Sequence, residues 1–186
     1  MKILDLGCGK NKYESLNEMD EVIGLDKIKI TDADVIHDLE NLPLPFDDNE
    51  FDEIIASHVL EHLDNFWEIM NELYRVLKPD NRLKIWVPYF SSHWTFAPDH
   101  KHYFSGDKMA FACFTFASYF GGFREDYYTK ARFNVEKMRL KFDIPFLGKI
   151  ITKLVNTNLR IYERFFPWIL PADELYVELR SLKKIL

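Results

Sequence analysis

Five short apolar runs punctuate the first half of the chain, each stopped by a turn or a breaker. Lys2–Leu6 halts at Gly7, Glu21–Asp26 ends on an acid, and so does Asp34–Asp38. Phe51–Ala56 runs into Ser57, and Arg82–Val87 into Pro88. Continuous apolar runs of this length between turn signals predict buried strands. Between the fourth and fifth, Phe66, Ile69, Met70, Leu73, Tyr74 and Leu77 recur at helical spacing. They predict an amphipathic helix capped by Asp64 or Asn65, with Glu68 in its first turn and Lys78-Pro79 at its end. Ser105-Gly106-Asp107 predicts a cap for a second helix over Lys108–Phe120, stopped by Gly121-Gly122. Phe133–Phe142 and Tyr176–Leu182 alternate and predict strands. The intervening Ile144–Pro171 places Phe146, Leu147, Ile150, Ile151, Leu154 and Val155 at helical spacing beside Lys149 and Lys153. Buried strands alternating with helices imply an α/β sheet with helices on its faces.

The length of 186 residues predicts a single domain. With 16 Phe, 9 Tyr and 4 Trp, the chain carries too much apolar surface to stay disordered. The longest uncharged stretch, Met109–Phe123, has 15 residues, short of the roughly 20 a membrane span needs. An acid already at Asp5 excludes a signal peptide, and two cysteines, Cys8 and Cys113, make no disulfide framework. Both point to a reducing, cytoplasmic setting. The net charge of −6 argues against generic nucleic-acid binding. It is uneven: residues 1–80 carry −13 and residues 81–186 carry +7. The two halves therefore face different work or different partners.

Ligands of open α/β sheets bind at the carboxyl ends of the strands. The first strand ends in Asp5-Leu6-Gly7-Cys8-Gly9, whose paired glycines let backbone approach a ligand closely. Lys12 stands where a dinucleotide fingerprint has its third glycine, and Asp5 would repel a phosphate. Both disfavour a nicotinamide oxidoreductase, whereas an acid beside a glycine loop suits a cationic ligand. Asp26 closes the second strand 17 residues after Gly9 and can accept both hydroxyls of a ribose. Asp38 can accept from an adenine amine, and Ser57-His58 closes the fourth strand. Together these residues suit a molecule with an adenosine and a positive charge.

The ordered set Ile-Leu-Asp-Leu-Gly-Cys-Gly, Val-Ile-Gly-Leu-Asp, His-Asp-Leu-Glu-Asn-Leu-Pro, Phe-Asp-Glu-Ile-Ile-Ala-Ser-His-Val-Leu-Glu-His-Leu and Tyr-Arg-Val-Leu-Lys-Pro-Asp resembles a class I S-adenosylmethionine-dependent methyltransferase over residues 2–88. The resemblance implies a doubly wound, Rossmann-like seven-stranded sheet of order 3-2-1-4-5-7-6 with the last strand antiparallel, and the spacing within Ile144–Pro171 adds a helical insert before that strand. It also implies that Asp5, Gly7 and Gly9 line the methionine end of the cofactor, and Cys8 between the glycines is a further candidate cofactor contact. Asp26 would hold the ribose, Asp38 and Leu39 the adenine, and Ser57 with His58 the floor beneath the sulfonium. Two departures stand out. Asn11 occupies the place of a third glycine, and the chain begins at the first strand, without the helices that often precede it. Such a pocket is open unless later residues cover it, and Ile144–Pro171 is the candidate cover.

His93, Asp99, His100 and His102 crowd the loop after the fifth strand, among Tyr89, Phe90, Trp94, Phe96 and Tyr103. Imidazole titrates near neutrality and suits a general base, so His100 and then His102 are the catalytic candidates. Tyr89, His93 and Trp94 are the candidate substrate contacts. No cysteine and no second acid accompany these histidines, so no metal is expected. Glu61-His62 reads as a solvated helix start and Cys8 as a small buried filler. The expected reaction is direct displacement at the cofactor methyl toward a small-molecule, lipid or glycan acceptor. The alternative is a non-catalytic cofactor-binding regulator of the same fold. Residues 144–171 could serve as a lid, a homodimer contact or a peripheral membrane contact.

Overall fold

The computed structural model describes residues 1–29, 32–106, 114–115 and 129–183. Strands β1 (Lys2–Leu6), β2 (Glu21–Asp26), β3 (Val35–Ile36), β4 (Phe51–Ser57), β5 (Leu77–Pro88), β8 (Phe133–Lys141) and β9 (Glu174–Ser181) form one seven-stranded sheet. Its order is β3-β2-β1-β4-β5-β9-β8. The first five strands run parallel, and β9 lies antiparallel between β5 and β8. This is the order and polarity that the resemblance implies. A separate parallel pair joins β6 (Phe104–Ser105) to β7 (Phe114–Thr115). The helix expected over Lys108–Phe120 lies outside the described residues apart from Phe114–Thr115, which are strand.

The buried runs explain the sheet. Ile3, Leu4 and Leu6 of β1 and Ile54, Ile55 and Ala56 of β4 are almost wholly buried, as central parallel strands covered on both faces must be. Strand β9 buries every second residue, Leu175, Val177, Leu179 and Ser181. Helix α1 (Phe66–Val76) buries Phe66, Ile69, Met70, Leu73 and Val76. Asn65 stands at its N-cap, but the Asn65 amide donates to the Leu39 carbonyl at 2.9 Å and does not cap. The Lys78-Pro79 stop falls two residues late. The chain enters β5 directly at Leu77, because Leu77 pairs with Phe51 and a bulge then re-registers the strands at Glu53 and Arg82. Strand β3 shrinks to two residues because the Asp34 carboxylate turns back to the Gly24 N–H at 2.7 Å and to Lys12 Nζ at 2.9 Å.

Two polar side chains tie distant segments together. Buried Glu163, on helix α3 (Leu159–Phe165), accepts from the Tyr89 hydroxyl at 3.0 Å and the Gly106 N–H at 2.7 Å. Asn71 Oδ1 on α1 accepts from Thr129 Oγ1 at 2.7 Å, Lys130 N at 2.9 Å and Ala131 N at 3.0 Å. Asn71→Ala is therefore expected to lower stability by about 2–3 kcal/mol. Urea denaturation should show an earlier midpoint at unchanged slope. The insert Ile144–Pro171 folds as α2 (Gly148–Val155) followed by α3. Asn156 anchors it by exchanging hydrogen bonds with the Leu140 backbone at 2.8 and 2.7 Å. Among the described residues no helix is long and apolar enough to cross a membrane.

Candidate active site

The site grows from the end of β1. Gly7 adopts φ 66°, and a Cβ there would lie 2.6 Å from Val59 Cγ2, so the turn needs glycine twice over. The Gly7 and Cys8 N–H groups donate to the Leu25 carbonyl. The Gly9 N–H donates to Asp26 Oδ2 at 3.0 Å, and the Ile28 N–H to Asp26 Oδ1 at 2.8 Å. One carboxylate thus clamps the glycine turn to the end of β2. Each of its oxygens has a further lone pair for a ligand hydroxyl.

A cavity of about 530 Å3 opens at these strand ends, at the point where the chain order reverses. Gly7, Asp26, Asp38, Leu39, His58 and Lys101 are among its walls. Four expected cofactor contacts stand off it. Asp5 is buried and accepts the Tyr13 N–H at 2.7 Å, holding the first crossover, and burial pushes its carboxyl upward. Cys8 is buried beneath the loop, and burial pushes its thiol up to about 11, which removes it as a nucleophile. Gly9 acts through its bond to Asp26, and Ser57 lies on neither cavity wall. The expected cover, 144–171, also contributes nothing to this wall. Asp99 and Lys101 of the loop after β5 stand there instead.

That loop is held by backbone bonds. The N–H groups of Lys101 and His102 donate to the Glu61 carbonyl at 2.7 and 3.3 Å, and Lys101 Nζ pairs with Asp64. The loop and the turn Leu60–His62 thereby enclose a second cavity of about 320 Å3. His58, Glu61, His62, Trp94, His100, Asp143, Asp173 and Glu174 line it, and it shares His58 and His62 with the larger one. Of the candidates on the acceptor side, His100 and Trp94 reach this cavity. His102 does not: its Nε2 meets the Leu63 carbonyl at 2.8 Å and its ring packs on Phe66. Tyr89 is fully buried on Glu163 and is a core residue, while His93 stacks on Trp94 away from both cavities.

Two carboxylates that the sequence does not mark as site residues complete this cavity. Glu61 is not solvated but 1% exposed, with its Oε1 3.4 Å from His58 Nδ1. Its spacing of three from His58 was the one signal available. Glu174 arrives from the far end of the chain and meets His58 Nε2 at 3.0 Å. Glu61, His62 and His100 bring ligand-capable atoms within 4.8 Å of one another. The expectation of no metal rested on the lack of a second acid near the histidines, and the fold supplies Glu61 there. His100 Nδ1 is buried without a hydrogen-bond partner, and its ring meets His62 edge-on at 4.7 Å.

His58, at φ 51°, bridges two carboxylates, and its pKa is raised to about 9 by the hydrogen bonds to Glu174 and then Glu61. His62, His100, Asp143 and Asp173 face the same cavity. A raised pKa stabilises the fold fully below about 6.5 and ceases to do so as pH climbs through about 9. At a side chain 47% exposed, solvent screening leaves about 1–2 kcal/mol. Wild type should therefore lose this margin over His58→Gln between pH 6.5 and 9 in urea denaturation. A constant margin across that window would refute the bridge.

A family profile described as a methyltransferase domain matches residues 4–85. Residues 4–85 match the methyltransferase-domain family, in a fold shared with S-adenosylmethionine-dependent methyltransferases. A demethylmenaquinone methyltransferase of Listeria monocytogenes is 31% identical over 100 residues, 44% of this chain and 42% of that protein. A probable tRNA methyltransferase 9B of Bos taurus is 30% identical over 116 residues, 58% of this chain and 24% of that one. This chain therefore matches less than half the length of either relative. A SAM-dependent methyltransferase structure from Archaeoglobus fulgidus superposes with a TM-score of 0.57 at 19% identity, covering 97% of this chain and 86% of that one. S-adenosylmethionine is the cofactor of such a domain. The larger cavity of this methyltransferase domain fits it. Its volume is that of a small-ligand site, and Asp26 on its wall retains lone pairs for a ribose.

Proposed function

We propose that this chain transfers the methyl group of S-adenosylmethionine to an acceptor held in the smaller cavity. The observation that carries the reading is the shared wall: His58 and His62 border both cavities, so the two reactants would be neighbours. The cofactor supplies an electrophilic methyl group, and displacement there needs alignment more than covalent help from the protein. Asp26 positions the ribose, Asp38 and Leu39 border the adenine, and Gly7 allows close approach. Trp94 walls the acceptor. His100, with a free ring nitrogen beside buried Glu61, receives the acceptor's proton, and Glu61 stabilises the imidazolium that results.

The acceptor is a small-molecule, lipid or glycan hydroxyl rather than a nucleic acid. Glu61, Asp143, Asp173 and Glu174 make the wall acidic. Such a wall offers acceptors to hydroxyls and repels a phosphate backbone. The test begins with calorimetric titration of the folded chain with S-adenosylmethionine and S-adenosylhomocysteine. Methyl-tritiated cofactor is then supplied with separate polar, lipid, glycan and tRNA fractions. Counts should enter one of the first three. Label in tRNA would overturn the acceptor class, and no cofactor binding by a folded chain would overturn the reading as a whole.

A further inference from the structure

Among the described residues, the insert 144–171 leaves an apolar face without a partner. Ile151 and Val155 of α2 pack on the core, but Leu147, Ile150 and Leu154 point outward one helical turn apart. Phe146 precedes them at φ 62° and is fully exposed. A bulky residue in the left-handed region is strained, and here the strain presents an apolar ring to the surroundings. Beyond α3, Phe165, Trp168 and Ile169 are exposed as well, Trp168 at 68% and Ile169 at 78%. So many exposed large apolar side chains within one 28-residue segment mark an interaction surface, not the scatter of an ordinary exterior.

Charge selects the occupant. The segment carries Lys149, Lys153, Arg160 and Arg164 against one acid, Glu163, which is buried on Tyr89 and Gly106. Its net charge is +3 in a chain of −6. A second copy would bring +3 against +3 across a two-fold axis. An anionic lipid surface instead complements the bases while its interface takes up the aromatic and aliphatic side chains. We propose that residues 144–171 dock this protein peripherally on an anionic membrane.

The docking face also leads to the chemistry. A groove of about 510 Å3, lined by Phe142, Asp143, Pro145, Phe146 and Lys149, borders the start of the insert. Asp143 borders both this groove and the smaller cavity. An amphiphile whose tail stays in the bilayer can thus present its head group to His100. This second step rests on the proposed role of the smaller cavity, whereas docking itself does not.

The experiment sediments the full chain with vesicles of phosphatidylcholine alone and with vesicles containing phosphatidylglycerol. The protein should pellet with the anionic vesicles and be released by salt. Lys149→Gln combined with Lys153→Gln should weaken partitioning about 30-fold, and Ile150→Ser combined with Ile169→Ser should also release it. None of these residues lines either candidate reaction cavity, so cofactor titration serves as the fold control. No pelleting by wild type, or pelleting that the lysine variant leaves unchanged, would overturn the proposal. So would a dimer in sedimentation equilibrium, dissociated by Ile150→Glu, without vesicle binding. Vesicle binding without any cofactor binding would overturn the enzymatic reading and leave docking intact.

Discussion

Asp26→Ala should weaken S-adenosylmethionine binding by about 100-fold or more. The carboxylate does two things at once. It would accept the ribose hydroxyls, each such charge-assisted bond contributing about 1.5–3 kcal/mol. It also holds the Gly9 and Ile28 N–H groups at 3.0 and 2.8 Å, so its loss loosens the turn that the ligand lies on. Two bonds at the low end already amount to about 3 kcal/mol, which is about two orders of magnitude in Kd. Asp26→Asn keeps one oxygen and the shape, and should fall between wild type and alanine. Calorimetric titration with S-adenosylmethionine and S-adenosylhomocysteine reads both variants, with a thermal melt to show that each is folded. Undiminished affinity in a folded Asp26→Ala protein would place the cofactor elsewhere.

The second large effect is expected at His100. His100→Ala should lower kcat by about 10²–10⁴-fold, the usual range for loss of a general base, while cofactor affinity stays within a few-fold of wild type. The reason is positional. His100 lines the smaller cavity and not the larger one, and its Nδ1 is buried with no hydrogen-bond partner. Glu61→Gln should act through His100, lowering kcat less than the alanine variant, because it removes the negative charge beside the imidazolium that forms during the step. His102→Gln should leave the chemistry alone and cost stability, since its ring nitrogen serves the Leu63 carbonyl. Equal losses of kcat at His100 and His102 would refute this division of labour.

Much of the cofactor half was legible in one dimension, because its signals are local. A strand ending in Gly7 and a second ending in Asp26 can be read from adjacent residues, and the turn that joins them uses its own backbone groups. The same locality misled where a side chain had two local uses. Asp5 could face a ligand or hold its own crossover, and the structure gives it the Tyr13 N–H. Tyr89 could wall a pocket or fill the core, and only the buried Glu163, 74 residues away, decides for the core. The acceptor site was the least legible. His58 and Glu174 are 116 residues apart, and no periodicity links them.

The amino-acid sequence by itself determined the alternation of buried strands with helices, the glycine turn and the strand-end acids, since hydrophobic period, φ preference and charge are properties of neighbouring residues. The tertiary structure alone decided which of those acids and histidines share a cavity. Antiparallel insertion of β9 beside β5 carries Glu174 to His58, and the loop after β5 folds back onto Glu61 to deliver His100. These encounters depend on long-range pairing whose loop-closure cost is offset only by the burial of the whole sheet. No short window of the chain contains the terms that set it.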